Sequence, residues 1–336
     1  MTKKEKLEKL LKGEDLDSLD FFRPILMNFA AHSIGKKYSD FASDYRVLVE
    51  ANLRCLELFD MDAVGLISDP YRESSAFGAT ISYPEDSVPV CKPIISSIAD
   101  VQELKIPDVF SDLRTKDRLK AIDEYRKHLQ GDVPVIGWVE GPLAEAADLA
   151  GVSDMLIYTL TDPDFVHALL KKTTAFAKIF AQAQIDAGCD IIGIGDAICS
   201  QISAEQFQTI EKQYLDDLIK YIQSKGALVK LHICGDITHL LPDIKDLKPD
   251  ILDLDWLVDM EEAYQVVGKD IIRCGNINPV DIQDKTAEEI YAQTRKLCEQ
   301  EKGRKFILSG GCEITILTKH ENLKAMKEAQ RDVYRV

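Results

Sequence analysis

The chain has 336 residues, 46% of them hydrophobic and 29% charged, the composition of a globular protein with room for one large barrel or two ordinary domains. Its net charge of −16 argues against a duplex-binding or membrane-surface protein, since both need a basic face. No apolar run reaches the length of a membrane span, and the charged opening of the chain is unlike a signal segment, so a cytoplasmic protein is expected.

In chain order, residues 1–22 read as a helical lead-in. Short apolar or β-branched runs then recur at 24–28, 63–68, 133–138, 190–195, 228–232, 251–255, 271–275 and 306–309. Amphipathic helical patterns separate most of them, as at 163–187, 204–225, 260–267 and 287–302. Strands alternating with helices imply a parallel sheet. The repeated units predict an α/β fold, a (β/α)8 TIM barrel formed by residues 1–336 as a single domain. A doubly wound open sheet fits less well, because no GxGxxG follows any strand. Residues 69–130 are far longer than one crossover helix needs. They read as an insertion over the barrel mouth or as an ordinary pair of surface helices.

In such barrels the C-terminal strand ends carry the chemistry. Here those ends hold Asn28, Asp69, Trp138 with Glu140, Asp196, His232 with Cys234, Asp255 with Trp256, Asn276 with Asn278, and Cys312 with Glu313. Residues i and i+2 of an extended chain point to one side, so His232 and Cys234 can present nitrogen and sulfur to one point. With Cys312 they would form a three-ligand His/Cys/Cys site, the arrangement of zinc centres that keep one position open for chemistry. The eight cysteines, at 55, 91, 189, 199, 234, 274, 298 and 312, include no close CxxC pair and do not make a disulfide scaffold.

The other strand-end residues each have two readings. Asp196 holds or protonates a substrate, or it caps the helix starting near Ser203. Glu140 supplies an exchangeable fourth ligand, or it makes a turn contact before Gly141-Pro142. Asn276 and Asn278 suit a turn, or they bond a ligand amide or phosphate. Trp138 and Asp255 are candidates for substrate or cofactor contact.

Taken together, these motifs resemble the uroporphyrinogen decarboxylase superfamily, and within it the methylcobalamin:coenzyme M methyltransferase branch. The resemblance rests on Phe77-Gly78, Tyr83-Pro84-Glu85-Asp86, Glu140-Gly141-Pro142-Leu143, Gly193-Ile194-Gly195-Asp196 and Ile202-Ser203. It continues through His232-Ile233-Cys234-Gly235, Gly275-Asn276-Ile277-Asn278-Pro279, Gly311-Cys312-Glu313 and Glu321-Asn322-Leu323. It implies a (β/α)8 barrel and zinc bound by His232, Cys234 and Cys312. Decarboxylases of the superfamily carry an Arg-Gln-Ala-Gly-Arg segment after the first strand, where this chain has Asn28 to Gly35. They also carry a Phe-x-Asp-Ile segment, expected here near Phe77-Gly78-Ala79-Thr80. Both departures speak against decarboxylation of a polycarboxylate.

The expected activity is therefore zinc-dependent methyl transfer. A thiol on the open zinc position would lose its proton and stay nucleophilic. The methyl group would pass between it, or another small methyl donor or acceptor, and a corrinoid such as methylcobalamin. The corrinoid would be free or carried by a corrinoid protein. A decarboxylase-type lyase and a non-catalytic corrinoid- or metal-binding barrel are the competing readings. No nucleic-acid or membrane partner is expected, and a homodimer is left open.

Overall fold

The computed structural model describes residues 1–84 and 87–335. Glu85 and Asp86, part of the Tyr83 motif, lie outside them. Seven parallel strands form a curled sheet in the order β1 (Val64–Gly65), β4 (Val135–Glu140), β5 (Ile191–Gly195), β6 (Leu228–His232), β7 (Ile251–Asp253), β8 (Ile272–Ile277) and β9 (Phe306–Gly310). A two-stranded antiparallel ribbon, β2 (Ile81–Ser82) with β3 (Val90–Cys91), lies outside it.

The eighth place in the ring belongs to the segment around Phe22. Arg23 N–H donates to Leu308 O (3.0 Å) and Leu308 N–H to Phe21 O (2.8 Å), while Asp62 N–H ahead of β1 donates to Phe22 O (2.9 Å). The segment thus bonds to both edges of the sheet and completes the expected barrel. It differs from the predicted strand at 24–28. Pro24 has no N–H to continue a ladder, and pairing ends at Ile25, which matches Glu313. Asn28 instead opens the helix Asn28–Ser33.

The lead-in is shorter than residues 1–22. Its helix, Lys3–Lys12, starts from a Thr2–Glu5 capping box. Leu7 and Leu10 pack with Ile136, Ile191, Ile251, Ile272 and Ile307 in one buried cluster, so this helix plugs the N-terminal end of the barrel. The outer faces of the strands pack against the surrounding helices in a second, larger core. Coverage on both faces explains why every residue of β4, β5 and β9 is buried.

The inward-facing residues stack in layers two residues apart. Above the isoleucines lie Trp138, Gly193 and Lys230, and above those Glu140, Gly195 and His232, the last in register with Asp253. The two glycines make room for an indole. A Cβ on Gly193 would lie 2.3 Å from the Trp138 ring, and one on Gly195 would lie 2.8 Å from it.

Two further differences concern helices. Residues 204–225 are not one regular helix, because a π-helical turn, Phe207–Glu211, joins Ala204–Gln206 to Lys212–Ser224. The wider turn lets Phe207, Ile210 and Glu211 all be buried. Within residues 69–130, the helix Leu113–Leu129 is the ordinary crossover from β1 to β4, packed on Tyr45–Phe59 and Pro163–Ala187. Only the stretch ahead of it is inserted. No helix among the described residues is long and apolar enough to cross a membrane.

Candidate metal centre

β6 ends at His232, and Cys234 follows in the same extended direction. β9 brings Cys312 to the same mouth from three strands further round the ring. His232 Nε2 lies 2.9 Å from Cys234 Sγ and 4.0 Å from Cys312 Sγ, and the two sulfurs are 3.5 Å apart. Donors bonded at roughly 2.0–2.3 Å to one tetrahedral ion lie about 3.5 Å from each other. The triad therefore fits such an ion with shifts of a few tenths of an ångström.

The histidine is oriented from behind. Its Nδ1 lies 3.0 Å from Asp253 Oδ2, on the paired position of β7, and Lys230 Nζ bonds the same oxygen. A carboxylate behind a ligating imidazole fixes its tautomer and aims Nε2 at the metal. Burial would lower the His232 pKa, but Asp253 and Cys312 outweigh it and raise it to about 9. Burial would likewise raise Asp253, yet Lys230 and His232 hold it far below the usual carboxylate range. The contact with Cys234 draws Cys312 down to about 4, with His232 adding to the effect against burial. The same contact, with burial, pushes Cys234 up. Without metal the cluster is thus an imidazolium and a thiolate beside one neutral thiol.

The loops carrying the sulfurs are held by backbone geometry. Gly235 turns the chain at φ +94°, a conformation that favours glycine. Its N–H donates to Asp255 Oδ2 (3.0 Å), whose other oxygen accepts from Leu257 N–H (3.1 Å). Gly311 passes so close to the loop after β7 that a Cβ would lie 2.3 Å from Trp256 N. Asn276 Nδ2 bonds Asp255 O (3.1 Å) and Val258 O (2.7 Å).

The triad opens into a cavity of about 170 Å³ at the C-terminal mouth, walled by Met27, Asp69, Trp138, Glu140 and Glu313. Trp138 Nε1–H donates to Glu140 Oε1 (3.0 Å), and the indole centroid is 6.1 Å from the His232 ring. Burial and the adjoining Glu73 push Glu140 well above the usual carboxylate range. Larger hollows, about 460 Å³ beside Asp60 and about 500 Å³ beside Tyr45, hold no His/Cys donor set among the described residues.

Of the residues singled out in the sequence, the structure brings together His232, Cys234, Cys312, Trp138 and Glu140, with Asp69 and Glu313 on the same cavity wall. Four others stand back. Asp196 does not line the cavity. It is fully buried, and its Oδ1 accepts from Ala144 N–H (2.9 Å) in the first turn of the helix Pro142–Ala150. It does not cap the helix near Ser203, which Ser203 and Gln206 cap themselves. Asp255 and Asn276 hold loops, and Asn278 Oδ1 caps Pro279–Asp284 through Val280 N–H (2.9 Å). Phe77 packs on Phe176 in the outer core, whereas the aspartate on the cavity wall is Asp69. Asp253 and Lys230 were not foreseen. Their signal is the i, i+2 spacing, which puts Lys230 on the face of His232 and Asp253 on that of Asp255.

Known proteins similar to this chain fall on both sides of the superfamily. It is 28% identical over 302 residues to a uroporphyrinogen decarboxylase of Methylobacillus flagellatus, spanning 87% of this chain and 84% of that protein. It is 29% identical over 294 residues to a methylated-thiol–coenzyme M methyltransferase of Methanosarcina mazei (86% and 77%). It is 30% identical over 233 residues to the methylcobamide:CoM methyltransferase MtaA of Methanosarcina barkeri (67% and 67%). In fold it resembles a solved methyltransferase from Methanosarcina mazei, with a TM-score of 0.90 over 99% of both chains at 24% identity. Residues 2–333 match the family described as uroporphyrinogen decarboxylase (URO-D), and the chain belongs to that family.

Proposed function

We propose that the chain is a zinc-dependent methyltransferase that moves a methyl group between a corrinoid and a small thiol or methylated compound. The observation that carries this reading is the convergence of His232, Cys234 and Cys312 within 4.0 Å at the cavity, with Asp253 behind the imidazole. The similarity to two proteins named as coenzyme M methyltransferases supports it. The competing decarboxylase reading is disfavoured because no arginine or lysine lines the cavity among the described residues. Arg72 and Arg114 nearby are already paired with Asp69.

Zinc held by these three residues would supply the positive charge that keeps a bound thiol as thiolate. The chain's residues do the rest. Asp253 holds the His232 Nδ1 proton, leaving Nε2 free to coordinate. Trp138 and Met27 line the cavity with apolar surface and exclude water from the nucleophile. Glu140 steadies the indole through the Nε1 proton. The corrinoid, free or carried by a partner protein, would enter from the open mouth. None of the eight cysteines is in a disulfide, which suits the reducing cytoplasm.

The test is to follow the cobalamin spectrum of folded, zinc-loaded protein with methylcobalamin or cobalt(I) and a panel of thiols, methyl ethers and methylamines. Substrate-dependent conversion is expected, lost in Cys312→Ala. No spectral change with any compound would reject the reading in favour of a non-catalytic barrel.

A further inference from the structure

Asp196, which has no place in the cavity, belongs to a second group of donors. One ligand atom from each of Asp196, Cys199 and Glu211 lies within 4.8 Å of the others, and all three residues are fully buried. Asp196 follows β5, Cys199 sits in the 3-10 turn Ala197–Gln201, and Glu211 closes the π-helical turn Phe207–Glu211. Asp196 Oδ2 and both Glu211 carboxylate oxygens are buried without a well-formed hydrogen bond, the Leu143 N–H and the Cys199 thiol being the donors near them, and no cationic side chain among the described residues pairs with either carboxylate.

We propose that Asp196, Cys199 and Glu211 form a second metal site, closed and structural, for a divalent ion of zinc-like chemistry. Two buried carboxylates need a counter-charge. One proton shared between them would serve Asp196 Oδ2 and a single Glu211 oxygen, leaving the other only the imperfectly aligned Leu143 N–H. A divalent ion takes Asp196 Oδ2, Cys199 Sγ and both Glu211 oxygens, the four donors of a closed site. The mixed sulfur and oxygen set selects zinc over magnesium or calcium.

The surroundings suit this role. Ala144 N–H fixes Asp196 Oδ1, as outer hydrogen bonds fix ligating carboxylates. Gly141 leaves the space on the other side, where a Cβ would lie 2.3 Å from Asp196 Oδ2. The π-helical turn that delivers Glu211 is a feature concentrated at functional sites. The ion would also brace the catalytic mouth, because Asp196 N–H donates to His232 O (2.9 Å). This site stands independently of the methyl-transfer reading.

Metal analysis of the purified full chain, produced with ample zinc, tests it. Two zinc ions per chain are expected. Cys234→Ser should lose one, and Cys199→Ser should lose the other. A single zinc in the parent that vanishes in Cys234→Ser, or two that both survive Cys199→Ser, would overturn the proposal. Because a change at a fully buried thiol can unfold the chain, cadmium-113 NMR of the unaltered protein gives a second readout. Two resonances are expected, one from a two-sulfur site and one from a one-sulfur site. A lone resonance at saturating cadmium overturns the site and leaves a shared proton as the counter-charge.

Discussion

The lower end of the barrel is lined by Ile136, Ile191, Leu228, Ile251 and Ile272. Four residues further along the same strand paths stand Glu140, Gly195, His232, Asp255 and Asn276. Each pair points inward from one strand path, so topology does not distinguish the ends. Side-chain chemistry does. The lower layer is apolar and is covered by Leu7 and Leu10 of the first helix. The upper layer is polar, tied to loops, and left open by a cavity. Stability and chemistry are thereby separated by about 13 Å of strand, four residues at roughly 3.3 Å each. Mutations at the two ends should have separable effects.

The largest expected effect is at the mouth. Cys312→Ala should weaken zinc binding by more than ~100-fold, beyond the cost of losing a residue that only supports a ligand, and abolish methyl transfer. Its thermal unfolding without metal should stay near that of the metal-free parent. Leu10→Ala does the converse. Leu10 is 1% exposed, and its truncation should cost about 2–5 kcal/mol of folding stability by denaturant titration. Zinc content at 25 °C should not change. An Leu10→Ala protein that folds fully but loses zinc would break the separation.

The pH dependence sharpens the description of the mouth. At pH 7 the metal-free His232, raised to about 9, carries a proton, and so does Cys234, whose thiol is pushed up. Cys312, drawn down to about 4, carries none. Zinc must displace two protons, so its affinity should rise about 100-fold per pH unit between pH 6 and 8. Calorimetry in buffers of different ionisation enthalpy should count close to two protons released per zinc. A count near zero would mean the triad is not the binding site. The smallest effect is expected for Asp253→Asn, which keeps the shape behind His232 but removes the charge. Zinc affinity should fall roughly 10–100-fold without loss of fold. An unchanged affinity would make Asp253 a partner of Lys230 alone.

Much of this was legible in the sequence for a simple reason. Strand alternation is local, so His232 and Cys234 could be placed on one face, and apolar runs marked the barrel strands in order. What was hidden depends on contacts distant in sequence. Asp253 meets His232 only through the register of β6 with β7. The first barrel segment sits around Phe22 instead of 24–28 because Pro24 cannot extend a ladder, and because Glu313 Oε1 captures Asn28 N–H (2.9 Å). Asp196 was misleading because it follows its strand: the chain bends there (φ −129°, ψ 59°) and sends the carboxylate toward Ala144. Asp255, Asn276 and Asn278 stand at strand ends, as a site requires, but their polar atoms are used by backbone.

The glycines beneath the indole carry a last consequence. Gly193 and Gly195 let Trp138 lie across the barrel as a floor, with the 170 Å³ cavity above and a gap of about 10 Å³, lined by Arg23 and Lys230, below. Trp138 walls both spaces together with Ile25 and Ile67, and it is the aromatic member of that boundary. Replacing it by alanine would join the two compartments and admit a longer molecule, whose far end would meet positive charge. The two compartments are thus kept apart by an aromatic partition, and the absence of two methyl groups on the neighbouring strand keeps that partition in place.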